Sequence, residues 1–230
     1  MVRGLLGSPR RGLLAGWFVA ASAIASGCVV GRAAEVETRD FAVMVDGDKS
    51  GAVHMTISRQ DDGAVAFSCD TDVRVGGIIT FYKYSYRGKE LWKDGRLLHF
   101  ESKCNDNGKL CSVTATAAAD GLHVSINGSE HMSSADSWLT SYWGQPDAKL
   151  NGRTVPIIDA DCGRDLDAKV EFVGAEKLSL AGQDMTTQHV RLSGKNVGID
   201  LWFDQSARLV RQEWVEDGHR TIVELSGVRR

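Results

Sequence analysis

Histidines and cysteines are the residues of this chain whose types could support metal binding or nucleophilic catalysis. The six histidines, at positions 54, 99, 123, 131, 189 and 219, show no metal-ligand spacing. No Gly-x-Ser-x-Gly turn and no glycine-rich phosphate loop before a helix occurs in the sequence. We therefore expect a protein that is not an enzyme and that carries neither a metal nor another cofactor.

An acidic stretch offers a second possible chemistry. Asp159, Asp161 and Asp165 are close enough in sequence to bind Ca²⁺ together. A calcium loop of the EF-hand type requires Gly at its sixth position and Glu at its twelfth. Here Gly163 is fifth and Val170 is twelfth. We interpret the stretch as an acidic turn held by a disulfide, not as a metal site.

Aromatic residues are the third group, and they suggest binding of an apolar ligand. Tyr82, Tyr84 and Tyr86 alternate along one strand, and a bulge at Gly88 would place them on its apolar face. They would form either an aromatic wall for a ligand or packed core with hydroxyls at its rim. The candidate ligand-binding residues are Tyr82, Tyr84, Tyr86, Trp138, Tyr142, Trp143 and Trp214.

The tyrosines precede a region, residues 91–127, whose turns predict an antiparallel sheet. Three pairs, Asp94-Gly95, Asn107-Gly108 and Asp120-Gly121, suit two-residue hairpin turns. Side chains alternate between the two faces of a strand, so these turns together give one apolar and one polar face. The cross-strand pairs that they predict are Leu91 with Leu98, Phe100 with Ala115, Leu98 with Ala117, Ala117 with Val124, Ala115 with Ile126, and Cys104 with Cys111.

Further hairpins are predicted on both sides of this region. A three-residue loop at residues 61–63 pairs Ile57 with Phe67 and Met55 with Cys69. Near the end, Leu201-Trp202-Phe203-Asp204 followed by Arg208-Leu209-Val210 resembles the earlier Leu91–Leu98 hairpin. Its register places Trp202 opposite Leu209 and Arg211 opposite Glu224. The residues expected on its apolar face are Ile199, Leu201, Phe203, Val210, Trp214, Val223 and Leu225.

Residues 133–143 have the spacing of an amphipathic helix. Ala135, Trp138, Leu139, Tyr142 and Trp143 recur at intervals of three and four, and Gly144 and Pro146 follow. We expect this helix to lie against the alanine-lined part of the sheet. The predicted fold is mainly β: a large curved antiparallel sheet or incompletely closed barrel, packed around one helix at about 133–143.

The beginning of the chain indicates export. Arginines precede an apolar run at residues 13–25, as in a secretory signal, and the run is short for a membrane span. Two processing sites fit. Ala25-Ser26-Gly27-Cys28 resembles a lipobox, which would make Cys28 the lipidated first residue, and cleavage after residue 33 or 34 is the alternative. We expect residues 1–34 to be a signal peptide and residues 35–230 to form a single β-rich domain.

Charge and cysteine content restrict the partners of the exported domain. Residues 1–34 contain four arginines and no acidic residue, so the remainder has a formal charge of −7 against −3 for the whole chain. An acidic domain is a poor partner for nucleic acid. Export favours disulfides, and the register favours Cys104–Cys111, which leaves Cys69–Cys162. We expect membrane contact only through a lipid anchor at Cys28.

Several motifs resemble known families. The Leu-Trp-x-Asp…Arg-Leu-Val hairpin at 201–210, the run at 90–97 and the opening Phe-x-Val-x-x-Asp-Gly at 41–47 are similar to bacterial exported domains of unknown function. The order of elements resembles more distantly the LolA/LolB lipoprotein carriers. This second resemblance implies a curved, open sheet around helix, and it assigns no ligand-contacting residue.

These observations lead to two hypotheses of function. In the first, an exported protein of the periplasm or outer envelope binds or carries a lipid or other apolar ligand on its curved apolar face. In the second, an envelope assembly or interaction protein has a fully packed sheet and no ligand, and its protein partners contact its outer surface.

Export can be tested by the intact mass of the protein expressed in its own host. We expect a species that lacks the residues before Cys28 or those before residue 34 or 35, since signal peptides are removed. Added acyl mass on Cys28 would select lipidation. A cytoplasmic species that retains Met1 would contradict export.

Overall fold

A computed structural model describes residues 35–76, 81–180 and 182–230 of the chain. The expected signal peptide at residues 1–34 and the candidate lipidation site Cys28 lie outside the described residues. Among those described, no helix is long and apolar enough to span a membrane.

Fifteen strands account for most of the described chain. They are β1 (Glu35–Val45), β2 (Asp48–Arg59), β3 (Val65–Gly76), β4 (Phe81–Lys93), β5 (Arg96–Asp106), β6 (Lys109–Ala118), β7 (Gly121–Ile126), β8 (Ser129–Ser133), β9 (Trp138–Leu139), β10 (Thr154–Ile158), β11 (Asp165–Leu180), β12 (Gln183–Gly194), β13 (Val197–Phe203), β14 (Leu209–Glu216) and β15 (His219–Arg229). One short 3-10 helix spans Ala148–Leu150.

All fifteen strands belong to one sheet that does not close. Its order is β8-β7-β6-β5-β4-β3-β2-β1-β15-β14-β13-β12-β11-β10-β9, so β8 and β9 are its two edges. The pairing is antiparallel except between β9 and β10. Ser133 on β8 donates a hydrogen bond to Asp165 at the start of β11 (2.6 Å). The two ends of the sheet therefore approach each other through side chains, which confirms the predicted mainly β, incompletely closed architecture.

One face of this sheet buries a continuous core. Phe41, Ile57, Phe67, Phe100 and Phe203 belong to one apolar cluster that receives residues from both halves of the sheet. We call this the inner face. Each of these residues is at most 2% exposed, so the alternation of side chains along the strands separates a core from a solvated outer face.

Much of the predicted register is confirmed. Met55 pairs with Cys69 and Ile57 with Phe67. Cys104 pairs with Cys111 across the Asn107-Gly108 turn, and Phe100 pairs with Ala115. Arg211 lies opposite Glu224 as expected. Asn107 and Gly108 both have positive φ (48° and 95°), which is the geometry that a two-residue hairpin turn requires.

Bulges overturn other predicted pairs. Trp92 pairs with Leu97, but the next pair is Leu91 with His99, so one extra residue of β5, Leu98, has no partner. The predicted pairing of Leu91 with Leu98 is therefore wrong, and Trp92 and Leu97 face inward. A similar irregularity pairs Phe203, not Trp202, with Leu209. Val210 consequently leaves the inner face and joins Trp202 in a small outer cluster.

The turn between β6 and β7 also differs from its prediction. Ala118 pairs with Gly121, which places Ala119-Asp120 in the turn. Ala115 then faces Val124 and Ala117 faces Leu122, a shift of two residues from the predicted pairs. Because side chains alternate with period two, this shift leaves every side chain on its expected face.

The predicted helix at 133–143 is wrong. Residues 134–147 form turns, the two-residue strand β9 and irregular backbone. Tyr142 has a φ of +44°, which a right-handed helix excludes. The aromatic spacing that suggested a helix instead reflects a chain segment whose large side chains contact the core from several directions.

This segment and the loop at 159–165 cover the inner face of the sheet. Thr140 accepts a hydrogen bond through Oγ1 from the Ala160 amide (2.9 Å), which ties the two segments together. Ser102 on β5 donates to the Ala160 carbonyl (2.7 Å). We call these two segments, residues 134–147 and 159–165, the internal connection, since they occupy the place in which the sequence predicted a helix. Between them lie the mostly exposed residues 148–153 and the sheet strand β10.

All four cysteines of the described chain are free thiols in the structure. Cys104 and Cys111 are directly opposite, as the predicted register requires, but neither expected disulfide, Cys104–Cys111 or Cys69–Cys162, is formed in the structure. Cys162 instead donates a hydrogen bond to Asp159 (2.9 Å) and Cys69 contacts the hydroxyl of Thr71 (3.7 Å). Burial raises the pKa of Cys69 to about 12, so this thiol is a poor nucleophile.

Gly163 provides a test of the contact between the internal connection and the sheet. A Cβ at this position would lie 2.6 Å from Ile126 and 3.1 Å from Val113. We expect Gly163→Ala to lower the free energy of unfolding by roughly 1–3 kcal/mol more than Gly152→Ala does, measured by urea denaturation. Gly152 is the matched control because its φ of +77° resembles the +74° of Gly163 but nothing lies within 4 Å of its Cβ position. Equal losses would show that the loop does not pack against β6 and β7.

Candidate functional site

The aromatic candidate residues lie on the inner face of the sheet and on the internal connection that covers it. Tyr84, Trp138, Tyr142, Trp143 and Trp214 all pack against the main core. Tyr86 is 5% exposed, whereas Tyr82, at the end of the strand, is 38% exposed. The sequence correctly put Tyr84 and Tyr86 on the apolar face but for the wrong reason. β4 continues past Gly88 without a bulge, and the irregularity lies in β5.

Glu90 is a buried carboxylate that the sequence analysis missed. It follows Tyr86 and Gly88 on the inward-facing positions of β4 and is only 3% exposed. Its Oε2 accepts hydrogen bonds from the indole N–H of Trp92 (2.6 Å) and of Trp143 (3.1 Å). Burial raises the pKa of Glu90 to about 7, against the hydrogen bonds from Trp92 and Trp143 that lower it.

Two polar atoms near Glu90 are buried and lack a hydrogen-bond partner among the described residues. They are Glu90 Oε1 and the hydroxyl of Tyr86. Gly88 lies between these residues on the same face, and a Cβ there would approach the Tyr86 hydroxyl to an impossible 2.1 Å. Glycine therefore lets the Tyr86 ring lie flat along β4. Unpaired buried polar atoms cost free energy, so hydrogen bonding at this position of the interior is incomplete.

A second buried carboxylate, Asp161, faces the other end of the inner face. Tyr84 donates a hydrogen bond to its Oδ1 (2.8 Å). Burial raises the pKa of Asp161 to about 6 against the hydrogen bond from Tyr84, which lowers it. The three acids that suggested calcium do not converge: Asp159 contacts Cys162 and Arg164, and Asp165 contacts Ser133. Within the described residues, no group of three His, Cys, Asp or Glu side chains has metal-binding geometry.

A cluster of arginines surrounds Glu37 at the end of the sheet where β1 begins. Glu37 Oε1 accepts from Arg39 Nε (2.7 Å) and Arg208 Nε (3.2 Å), and Oε2 accepts from Arg230 Nε (3.0 Å). Burial alone would raise the pKa of Glu37, but hydrogen bonds from Arg39 and Arg230 and the charge of Arg208 lower it to about 2. Arg39 is 5% exposed and also donates to the Trp143 carbonyl (2.7 Å). We call the cavity lined by these arginines, together with Arg59, the arginine mouth.

The outer face carries a third cluster, which no sequence motif indicated. His189 lies between Glu176 (2.8 Å) and Asp200 (2.6 Å), and its ring stacks on Trp202 with centroids 4.5 Å apart. Hydrogen bonds from Trp202 and His189 lower the pKa of Glu176. Both ring nitrogens of His189 are engaged by carboxylates, so the side chain is held in place and is not presented to a substrate.

The outer face also has a shallow groove of about 460 Å³ across β2 to β5. Ala66, Leu91 and the stem of Lys89 contribute apolar surface, and His99 and Glu101 lie along it. His99 is hydrogen-bonded to Thr116 (3.2 Å). The groove is open on one side, unlike the enclosed sites that bury most of a small ligand.

Chemically, these clusters hold charges and do not form a catalytic constellation. A nucleophile beside a base that a third group orients is the arrangement that catalysis requires. Glu90 and Glu37 instead accept from indoles and guanidinium groups. Asp161 accepts from Tyr84, and His189 lies between two carboxylates.

Sequence periodicity could have revealed Glu90 and Arg39. Arg39 has the strand parity of the buried Phe41 and Val43, and Glu90 has that of Tyr86 and Trp92.

The sequence of this chain matches a protein-family model. A family model described as a domain of unknown function, DUF6134, matches residues 41–226. The chain belongs to this family. Membership confirms the coarser part of the sequence resemblance, namely that to a family of unknown function. The hairpin motif as its signature and the LolA/LolB likeness stay predictions.

A solved structure shares the fold of this DUF6134 protein. It is the crystal structure of a "Beta-barrel-like Protein of Domain of Unknown Function DUF1849 from Brucella abortus", with a TM-score of 0.58 and 8% sequence identity. The match covers 86% of this chain and 98% of that chain. At this identity the likeness shows the fold alone. No curated protein matches the sequence.

Glu90 should make the stability of the DUF6134 domain depend on pH. The folded protein holds its proton up to about pH 7, whereas the unfolded carboxyl releases it near pH 4.5. The folded state therefore binds more protons in this window, and its stability should fall as the pH rises through it, by about 3 kcal/mol in total. Glu90→Gln, measured by urea denaturation at pH 5 and pH 8, should remove most of this fall.

Glu130→Gln is the control, because Glu130 is exposed at the sheet edge. It should keep the pH dependence of the wild type. An unchanged difference between pH 5 and pH 8 in Glu90→Gln would show that Glu90 does not titrate in a buried environment.

Proposed function

We propose that this DUF6134 protein is an exported, non-enzymatic envelope protein that acts through its outer surface and the ends of its sheet. In this proposal the interior is a structural core, and the protein serves in envelope assembly or interaction. The observation that carries it is the filling of the inner face by the internal connection, residues 134–147 and 159–165. Export rests on the sequence of residues 1–34.

The contacts of Trp143 support a structural interior. Its ring stacks on Phe67 with centroids 5.7 Å apart and meets Trp92 edge-on at 6.4 Å. Its indole N–H binds Glu90 and its carbonyl accepts from Arg39. A side chain with this many directional contacts has one favoured position, so the residues that would have lined a ligand cavity contact each other instead.

The internal connection is also anchored at its other end. Tyr84 and Ser102, both from the sheet, hydrogen-bond to Asp161 and Ala160. An apolar ligand on the inner face would have to displace these bonds as well as the packing of Trp143. Their loss inside the core would leave buried polar groups unpaired.

The second candidate is a carrier of a lipid or other apolar ligand. The unpaired Tyr86 hydroxyl and Glu90 Oε1 favour it, since a ligand headgroup could satisfy both atoms. The open sheet, whose edges β8 and β9 are not hydrogen-bonded to each other, offers a route along which the internal connection could move. A carrier would therefore exchange the connection for its ligand.

Native mass spectrometry of protein purified from its own host separates the two candidates. We expect the mass of the processed polypeptide, with any covalent acyl group on Cys28 identified after denaturation. A lipid that is bound before denaturation and released by it would favour the carrier and contradict the packed-interior proposal.

The stability of the Trp143→Ala variant independently tests whether the internal connection is packed or mobile. Trp143 is half-buried against the core, and with these contacts its truncation should cost roughly 2–3 kcal/mol of unfolding free energy. A loss below about 1 kcal/mol would mean that the internal connection is a mobile lid. Val215→Ala, at a residue 67% exposed, is the control and should have little effect.

A further inference from the structure

The arginine mouth is a cavity of about 200 Å³ at the end of the sheet. Four arginines and two glutamates line most of it: Arg39, Arg59, Arg208, Arg230, Glu35 and Glu37. These residues come from the start of β1, the end of β2, the turn before β14 and the end of β15. In a domain whose formal charge is negative, this is a concentration of positive charge with two more cationic than anionic side chains in its lining.

The Glu37 carboxylate shows how these arginines bind an anion. Its two oxygens accept four hydrogen bonds from Arg39, Arg208 and Arg230, at 2.7 to 3.3 Å. Guanidinium groups bind oxyanions through such forked contacts because their five N–H donors lie in one plane. The protein thus supplies one internal carboxylate that fixes the arginines in a preorganised arrangement.

Donors remain after Glu37 is satisfied. Arg230 donates from Nε to Glu37, and 60% of its side-chain surface is exposed. Arg59 also lines the cavity, and in the part of the chain that the structure describes it has no ion pair. Arg59 and Arg230 therefore present unused N–H groups to the cavity, beside the fixed charges of Arg39 and Arg208.

We propose that the arginine mouth binds a phosphate group, either free phosphate or the phosphate of a small molecule or lipid headgroup. Asp204 lies 3.5 Å from Arg208, so the cavity lining and this neighbour together carry one excess positive charge, which a phosphate anion would neutralise. The several terminal oxygens of phosphate can accept from more than one guanidinium. The cavity admits a phosphate group with a short substituent, and Ile57 is its apolar wall. An acyl chain would extend outside it.

This site goes beyond the proposed function and does not depend on it. The mouth uses side chains at the end of the sheet, so phosphate can bind whether or not the inner face holds a ligand. Failure of phosphate binding would leave the packed interior unaffected, and a retained apolar lipid would leave the mouth available.

Isothermal titration calorimetry with inorganic phosphate, in a phosphate-free buffer of low ionic strength, tests the proposal. The wild type should bind about one phosphate per chain. Arg59→Gln should weaken binding about tenfold or more, since a charge-assisted hydrogen bond is lost. Its thermal stability should stay close to that of the wild type, because Arg59 has no ion pair within the described residues.

Arg74→Gln is the matched control, because it removes the same charge from an exposed residue outside the cavity lining. It should change phosphate affinity less than twofold. Equal weakening by the two variants would show that the loss of affinity reflects only the change in net charge, and it would contradict the proposed site. Absence of saturable phosphate binding to the wild type would also overturn it, provided that the vesicle arm described next is negative as well.

Vesicles distinguish the two sources of phosphate. Phosphatidylcholine vesicles with and without phosphatidic acid are sedimented with the wild type and with Arg59→Gln. Binding that requires phosphatidic acid and is lost in Arg59→Gln identifies a lipid headgroup. Phosphate binding in calorimetry without sedimentation identifies a soluble phosphate compound.

Discussion

Burial of a single long apolar face is the constraint on which this structure depends. Fifteen strands in one open sheet present one side of every strand to the same interior, and the edges β8 and β9 do not pair to complete a barrel. Something must cover that face, since exposed apolar surface and unpaired edges are both unfavourable. The chain uses its own residues 134–147 and 159–165, whose bonds to Ser102 and Tyr84 fasten them to the sheet.

Covering the face with irregular backbone explains why polar groups are buried there. An irregular segment lacks a hydrogen-bond ladder of its own, so its backbone and indole groups need partners from the sheet. Glu90 and Arg39 meet this need at Trp143, one for the indole N–H and the other for the carbonyl. The same requirement explains a carboxylate on a strand whose inward-facing neighbours are aromatic or apolar.

The hairpins could be predicted because their turns depend on a few neighbouring residues. The segment that covers the sheet could not, because its position depends on contacts between residues far apart in the sequence. Asn107-Gly108 needs positive φ at both residues, so the pairing of Cys104 with Cys111 follows from a few neighbouring positions. The bulge at Leu98 has no such local signal. The helix prediction failed because the apolar residues from Ala135 to Trp143 recur at helical intervals. The partners of Trp138 and Trp143, which are Ile157, Phe67 and Glu90, nevertheless come from distant strands. Periodicity records which residues seek burial, but it does not record the backbone that delivers them.

The two charged features of the interior are linked through Trp143. Arg39 holds its carbonyl and also holds Glu37, so the position of Trp143 and the geometry of the arginine mouth share one guanidinium. Glu90 fixes the other side of the same residue. A change in the protonation of Glu90 would alter the bond to the indole and could reach the arginine mouth through one side chain and one backbone carbonyl. The packed interior and the charged end of the sheet are therefore parts of one hydrogen-bonded unit, so substitutions at Trp143 and Arg39 should not have additive effects on stability.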